Sequence, residues 1–260
     1  MSIFVQTFGS GADLVLIHGW GFHAGIWDEQ FRTTLIQWGY RLHLVDLPGH
    51  GNSPAFGENI DDWACAISEV IPPGATWLGW SLGGMVSLAA ATLFPAKIGA
   101  LITICSAPRF VSGADWRSGI NPAVLAAFGA ELQENWRNSV MRFLTLQDRL
   151  DNNDVIRQLR STVFAHPPTP AGLAIGLKIL QKTDLRTRLS KINCPTLFIL
   201  GNRDHFFPGT LAEDLVQLRP DWRISVLAAA GHIPFLTLRR ELFAELADFL
   251  AENNLPMSNF

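Results

Sequence analysis

The sequence predicts an α/β fold: a mostly parallel central sheet flanked by helices, with a helical cap insertion. Three observations lead there. Short apolar runs alternate with helix-period segments from Leu14 to Cys105, the pattern of parallel strands joined by crossover helices. Strand signals then cease, and helical segments separated by Pro, Gly and Asn turns follow as far as Leu185. The strand signal returns at Pro195, so the helical stretch is inserted between two strands of one sheet. The boundaries expected are core residues 1–107, a cap over 108–185, and a second core segment over 186–260.

Taken in order, Ile3 to Thr7 reads as an edge strand and Leu14 to Ile17 as a buried strand delivering His18-Gly19-Trp20-Gly21 at its end. Ile26 to Trp38 has helical spacing, and Tyr40 to Val45 returns as a strand closed by Asp46-Leu47-Pro48-Gly49-His50-Gly51. Asp61 to Ile71 forms a helix that Pro72 ends. The apolar run from Ala75 stops at Gly79-Trp80-Ser81-Leu82-Gly83-Gly84, an Ala-rich helix follows, and Ile98 to Cys105 is the next strand. Within the insert the expected helices are Pro122 to Phe128, Leu132 to Leu146, Asn153 to Phe164 and Gly172 to Lys182. Pro195 to Leu200 and Ile224 to Leu227 complete the strands, with helices over Pro208 to Leu218 and Leu238 to Leu250.

Composition bounds the function. A chain of 260 residues, 48% hydrophobic and 17% charged, is long enough for a sizeable core. Its net charge of -3 gives no reason to expect nucleic acid. From Arg109 to Lys182 there are nine Lys/Arg against six Asp/Glu, leaving eleven against seventeen elsewhere, so a mildly basic insert sits on an acidic body. Glu69 to Lys97 encloses a stretch without charge, long enough to span a bilayer, but Pro, Gly and Ser interrupt it. No membrane segment is expected. Three cysteines without C-x-x-C spacing, Cys65, Cys105 and Cys194, read as small core residues and not as a disulfide or zinc framework. The start, MSIFVQTFGSG, lacks the features of a secretory signal, so a reducing cytoplasm is the expected location.

Chemistry concentrates at the ends of the strands. Gly79 to Gly83 spells G-x-S-x-G, a turn sharp enough to force its serine into a strained conformation with the hydroxyl projecting. Ser81 is the candidate nucleophile, although the pentapeptide alone also fits a buried turn with an incidental serine. Asp204 follows a strand where a carboxylate can orient an imidazole, and His232 lies on the loop before the terminal helix. Serine, acid and histidine thus occur in one consistent order, each beyond a strand. Asp46 is a reserve acid but better suited to fixing its loop. Other histidines, among them His18, His23, His43, His166 and His205, read as structural, and His50 as structural or solvent-facing.

HGWG, DLPGHG, GWSLGG, GNRD and AGHIPF together resemble the α/β-hydrolase superfamily over nearly the whole chain. LHLVDLPGHGNS, TWLGWSLGGMV and the cap segment RFLTLQ are further similar to its carboxylesterases of biotin biosynthesis, which act on a pimeloyl methyl ester held by acyl-carrier protein. That resemblance implies a Ser81-His232-Asp204 serine esterase that needs no metal or other cofactor. It also implies an oxyanion hole from the N–H groups of Trp20 and Leu82, and substrate contacts from Trp20 and Phe143. Cap arginines would meet the acidic carrier protein, at Arg142, Arg157 and Arg137. At one arginine position of the family this chain has Asn138, beside Arg137. The chain is expected to work as a monomer. Other hydrolases of the same fold (short-chain esterase, lactonase, carbon-carbon hydrolase) remain alternatives, as does a non-catalytic receptor. A serine at the elbow, where those enzymes use aspartate, argues against dehalogenase or epoxide-hydrolase chemistry.

Overall fold

Strand-forming runs rich in Val, Ile and Leu build the centre of the structure. It is a computed structural model that describes residues 2–147 and 153–256. The strands are β1 (Val5–Phe8), β2 (Ala12–Ile17), β3 (Tyr40–Val45), β4 (Ala75–Trp80), β5 (Ile98–Ile104), β6 (Thr196–Gly201) and β7 (Arg223–Leu227). They form one seven-stranded sheet in the order β1-β3-β2-β4-β5-β6-β7. Only the edge strand β1 runs antiparallel, pairing Val5 with Val45. Every residue of β4 and β6 is buried, as expected of parallel strands covered on both faces.

Around this sheet lie α1 (Glu29–Gln37), α2 (Ile60–Val70), α3 (Leu82–Leu93), then α4 (Pro122–Glu134), α5 (Trp136–Thr145), α6 (Asn153–Ala165) and α7 (Pro170–Lys182) of the insert. After β6 come α8 (Leu211–Leu218), the short α9 (Pro234–Thr237) and α10 (Arg239–Glu252). The helix expected over Leu132 to Leu146 is broken at Asn135, whose side chain accepts from the Asn138 N–H and so starts α5 afresh. Likewise Pro234 begins a separate short helix ahead of α10. Cys105 is buried as expected, whereas Cys65 and Cys194 are only partly covered.

Helix α3 explains the long uncharged stretch. Eleven of its twelve residues are buried, since it is apolar on every side and packs on both the sheet and α2. No helix among the described residues is long and apolar enough to cross a membrane.

Topology then places the chemistry. After β2 and β3 the chain crosses to the other side of β2 to lay down β4, which makes the β2/β4 boundary a topological switch point. Ile17 pairs with Gly79 across it, so His18-Gly19-Trp20 and Ser81 leave adjacent strands at one level. The insert meets the core there. Thr169 N–H donates to Gly49 O at 2.8 Å, Trp20 Nε1–H to Leu173 O at 2.9 Å, and His23 Nε2–H to Thr162 O at 2.7 Å. At the closest approach, a Cβ on Gly172 would stand 2.5 Å from Gly49 Cα, where no side chain fits.

Candidate active site

Ser81 adopts φ 54°, ψ -118°, a strained combination for a residue with a Cβ. The neighbours enforce it. Ser81 N–H donates to Ile104 O at 2.9 Å, and Ser81 O accepts from Ser106 Oγ at 2.7 Å. A Cβ at Gly83 would lie 2.3 Å from Ile17 O, so only glycine lets the elbow close against β2. The same tightness brings the next loop in, because a Cβ at position 19 would stand 3.2 Å from Ser81 Cβ.

Two backbone N–H groups belong to the segments that meet at the elbow. Leu82 opens α3, and its N–H belongs to the first helical turn, which has no intrahelical acceptor. Trp20 N–H lies on the loop packed beside Ser81. Neither has an acceptor among the described residues. Both are therefore available to an oxyanion, with the α3 dipole favouring negative charge.

His232 and Asp204 meet although they leave different strands. Asp204 Oδ2 accepts from His232 Nδ1 at 2.7 Å, and the two side chains are 1% and 0% exposed. Asp204 Oδ1 accepts from Phe206 N–H at 2.8 Å, which fixes the carboxylate plane. Nδ1 is therefore the donor to the carboxylate, and Nε2 is the ring nitrogen that Asp204 leaves unengaged. That Nε2 is buried and has no hydrogen-bond partner among the described residues, Ser81 Oγ included. The histidine backbone is held from both sides, donating through N–H to Gln147 O at 3.1 Å and accepting from Trp80 Nε1 at 2.8 Å. Phe206 covers the ring at 4.6 Å between centroids.

Cys105 Sγ lies within 4.8 Å of the ligand atoms of Asp204 and His232, the one such cluster among the described residues. Burial, then the Asp204 charge, pushes this thiol's pKa well up, and Nδ1 already gives its proton to Asp204. The donors are those of an acid–histidine pair over a protonated thiol, a poor match to the thiolate a metal requires.

Asp46 is elsewhere. Its carboxylate accepts from Ala24 N–H at 2.7 Å and Asn52 N–H at 2.8 Å, the loop-fixing arrangement, with no bond to His232. His50 is fully buried and not solvent-facing. Its Nε2 accepts from Gly21 N–H at 3.1 Å, while His18 Nε2 accepts from Leu47 N–H at 2.9 Å, so both imidazoles must stay neutral. Burial pushes each pKa down to about 3. Between that value and the ordinary value near 6.5 the unfolded chain binds more protons than the folded one, so stability falls as pH falls. We expect a loss of about 2 kcal/mol for each histidine between pH 7 and pH 5. Urea unfolding at the two pH values checks it: the gap should be large in wild type and narrower in His50→Phe, and a pH-independent midpoint would contradict it.

The sequence-selected substrate and docking residues separate into two places. Trp20 and Phe143 pack edge to face at 5.0 Å and line an apolar pocket of about 230 Å³ with Phe128, Leu177 and Phe206. Arg142 stands on that pocket too, while Arg137 and Arg157 line a different groove of about 580 Å³ with Met141 and Phe164. Arg160, which the sequence reading did not select, joins them there. Its signal was available, since Arg157 and Arg160 are three apart and share a helix face. Trp80, Phe206 and Gln147 were also missed as supports of His232, because their contacts join distant parts of the chain.

Comparison with known proteins gives the family and the fold. The sequence matches the Alpha/beta hydrolase family over residues 14–246. It is 40% identical over 249 residues to a pimeloyl-acyl-carrier protein methyl ester esterase of Photobacterium profundum, covering 94% of this chain and 97% of that one. A protein of the same description from Nitrosomonas europaea is 38% identical over 240 residues, covering 91% and 94%. Among solved structures, an esterase from Exiguobacterium antarcticum superposes with TM-score 0.87 at 25% identity, covering 96% of this chain and 95% of that one. A bromoperoxidase from Bacillus anthracis reaches the same TM-score at 22% identity and shares the fold.

Proposed function

The chain belongs to the alpha/beta hydrolase family and is a carboxylic ester hydrolase; from that premise we propose that it demethylates pimeloyl-acyl-carrier protein methyl ester in biotin biosynthesis. The observation that carries the catalytic reading is the His232–Asp204 pair, which leaves Nε2 buried and without a hydrogen-bond partner among the described residues. Ser81 Oγ–H gives its proton to Nε2 as Oγ attacks the ester carbonyl carbon. The N–H groups of Trp20 and Leu82 stabilise the resulting oxyanion. His232 then protonates the departing methoxide, releasing methanol and leaving an acyl-Ser81. Water enters, His232 takes its proton, and collapse of the second tetrahedral intermediate frees the acid and restores Ser81. Asp204 holds the tautomer and stabilises the imidazolium throughout. No step calls for a metal or other cofactor.

Residues 108–185 act as a cap over core segments 1–107 and 186–260, and the pocket beneath the cap takes the acyl chain against Trp20 and Phe143. The carrier protein docks on the cap's basic side. Arg137, Arg157 and Arg160 line one groove there, supporting an acidic partner. Two of them are engaged already: Arg157 pairs with Asp154, and the Arg137 guanidinium lies 4.9 Å from the Trp136 ring centroid. The charge balance of the insert also counts Asp148, Arg149 and Asp151, which lie outside the described residues. If docking is electrostatic, raising salt from about 0.05 to 0.5 M should lower kcat/KM on the carrier-linked ester several-fold while hardly changing a small ester. Equal salt dependence would remove the docking role. Every group in the mechanism comes from one chain, which supports a monomer as the working unit, and three free thiols accord with a cytoplasmic setting.

A further inference from the structure

Two opposite charges meet at the rim of the apolar pocket. The pocket is lined by Trp20 and by Phe206, whose ring centroid lies 4.6 Å from that of His232, together with Leu125 and Phe128 of α4 and Phe143 of α5. Arg142 is its one charged lining residue among those described, and its side chain is 67% exposed, which puts the guanidinium at the solvent end. There Arg142 Nη1 donates to Glu131 Oε2 at 2.9 Å, joining α5 to α4. Glu131 does not line the pocket.

An acyl chain with its ester at Ser81 and its methylenes in this pocket carries its far end toward Arg142. Were that end a free carboxylate, the guanidinium would be its natural partner. Here a carboxylate already occupies it. We propose that Glu131 is a specificity residue: by holding Arg142 it denies the rim cation to a distal carboxylate, favouring dicarboxylic half-esters whose far end is uncharged. A thioester to a carrier meets that condition, whereas the free half-acid does not. Discrimination comes from the repulsive element, because an incoming carboxylate must displace Glu131 and approach its charge. The inference rests on the esterase reading above.

The test compares wild type, Glu131→Gln and the double variant Glu131→Gln/Arg142→Gln on monomethyl pimelate and dimethyl pimelate at low salt. The readout is the ratio of kcat/KM for the monomethyl ester to that for the dimethyl ester, in which any general damage to folding cancels. Glu131→Gln should raise the ratio about two- to fivefold, the range expected for an exposed ion pair, mainly through a lower KM for the monomethyl ester. The double variant should return it to the wild-type value or below. An unchanged ratio in Glu131→Gln, or a rise that survives loss of Arg142, would overturn the proposal. Wild type that demethylates the carrier-linked ester but cleaves neither free ester would overturn this inference alone, whereas failure on the carrier-linked ester as well would overturn the esterase reading on which it rests.

Discussion

Ser81→Ala is expected to lower kcat on every ester the enzyme accepts by about 10⁴- to 10⁶-fold while leaving the fold intact. The hydroxyl makes no hydrogen bond among the described residues, so its removal orphans no buried partner. The elbow is held through the main chain, by Ile104 O, Ser106 Oγ and Met85 N–H, and alanine keeps all three contacts. Circular dichroism and thermal unfolding should therefore match wild type. A variant that is folded yet retains more than about one part in a hundred of the turnover would remove Ser81 as nucleophile. Hydrolysis by wild type alone would also dispose of a purely receptor-like role for the fold.

Asp204→Asn should cost about 10³- to 10⁴-fold in kcat with little change in KM. Asparagine can keep its Oδ1 on Phe206 N–H, and the group it then turns to the imidazole is an NH₂. That donor favours the tautomer with the proton on Nε2, which cannot accept from Ser81. The loss is one of protonation state, not of packing. Asp46→Asn serves as the comparison, since its carboxylate holds Ala24 and Asn52 N–H groups and should affect stability before chemistry. The reverse pattern, activity lost with Asp46 and kept without Asp204, would transfer the acid's role.

How much of this could be read from residues alone depends on the range over which each cause acts. The elbow is local: glycines at 79, 83 and 84 around a serine prescribe a close strand-to-helix turn, and φ 54° at Ser81 is the outcome. The parallel sheet followed from alternation, and the candidate serine, acid and histidine were chosen from their places after strands, of which the structure joins Asp204 and His232. Helix ends were less legible, because Asn135 reads as one polar residue in a helical run until its side chain is seen to cap α5. His50 is the clearest long-range case. Its loop is rich in Gly and Pro, which suggests solvent, yet folding buries it under Gly21 and beside His18, 5.5 Å away between ring centroids. The family resemblance groups Arg142 with Arg137 and Arg157, but the side chains diverge, one to the apolar pocket and the others to a separate groove. Periodicity assigns a face of a helix and cannot say which neighbour that face meets.

The central claim, hydrolysis of a methyl ester on a carrier-bound pimeloyl chain, is tested most directly by incubating wild-type protein with pimeloyl-acyl-carrier protein methyl ester and following its mass by mass spectrometry. Rapid loss of the methyl group, with the acyl chain still attached to the carrier and Ser81→Ala inert, is the predicted result. An unchanged carrier-bound ester, beside continued cleavage of a small chromogenic ester, would contradict the claim and leave an esterase of a different substrate.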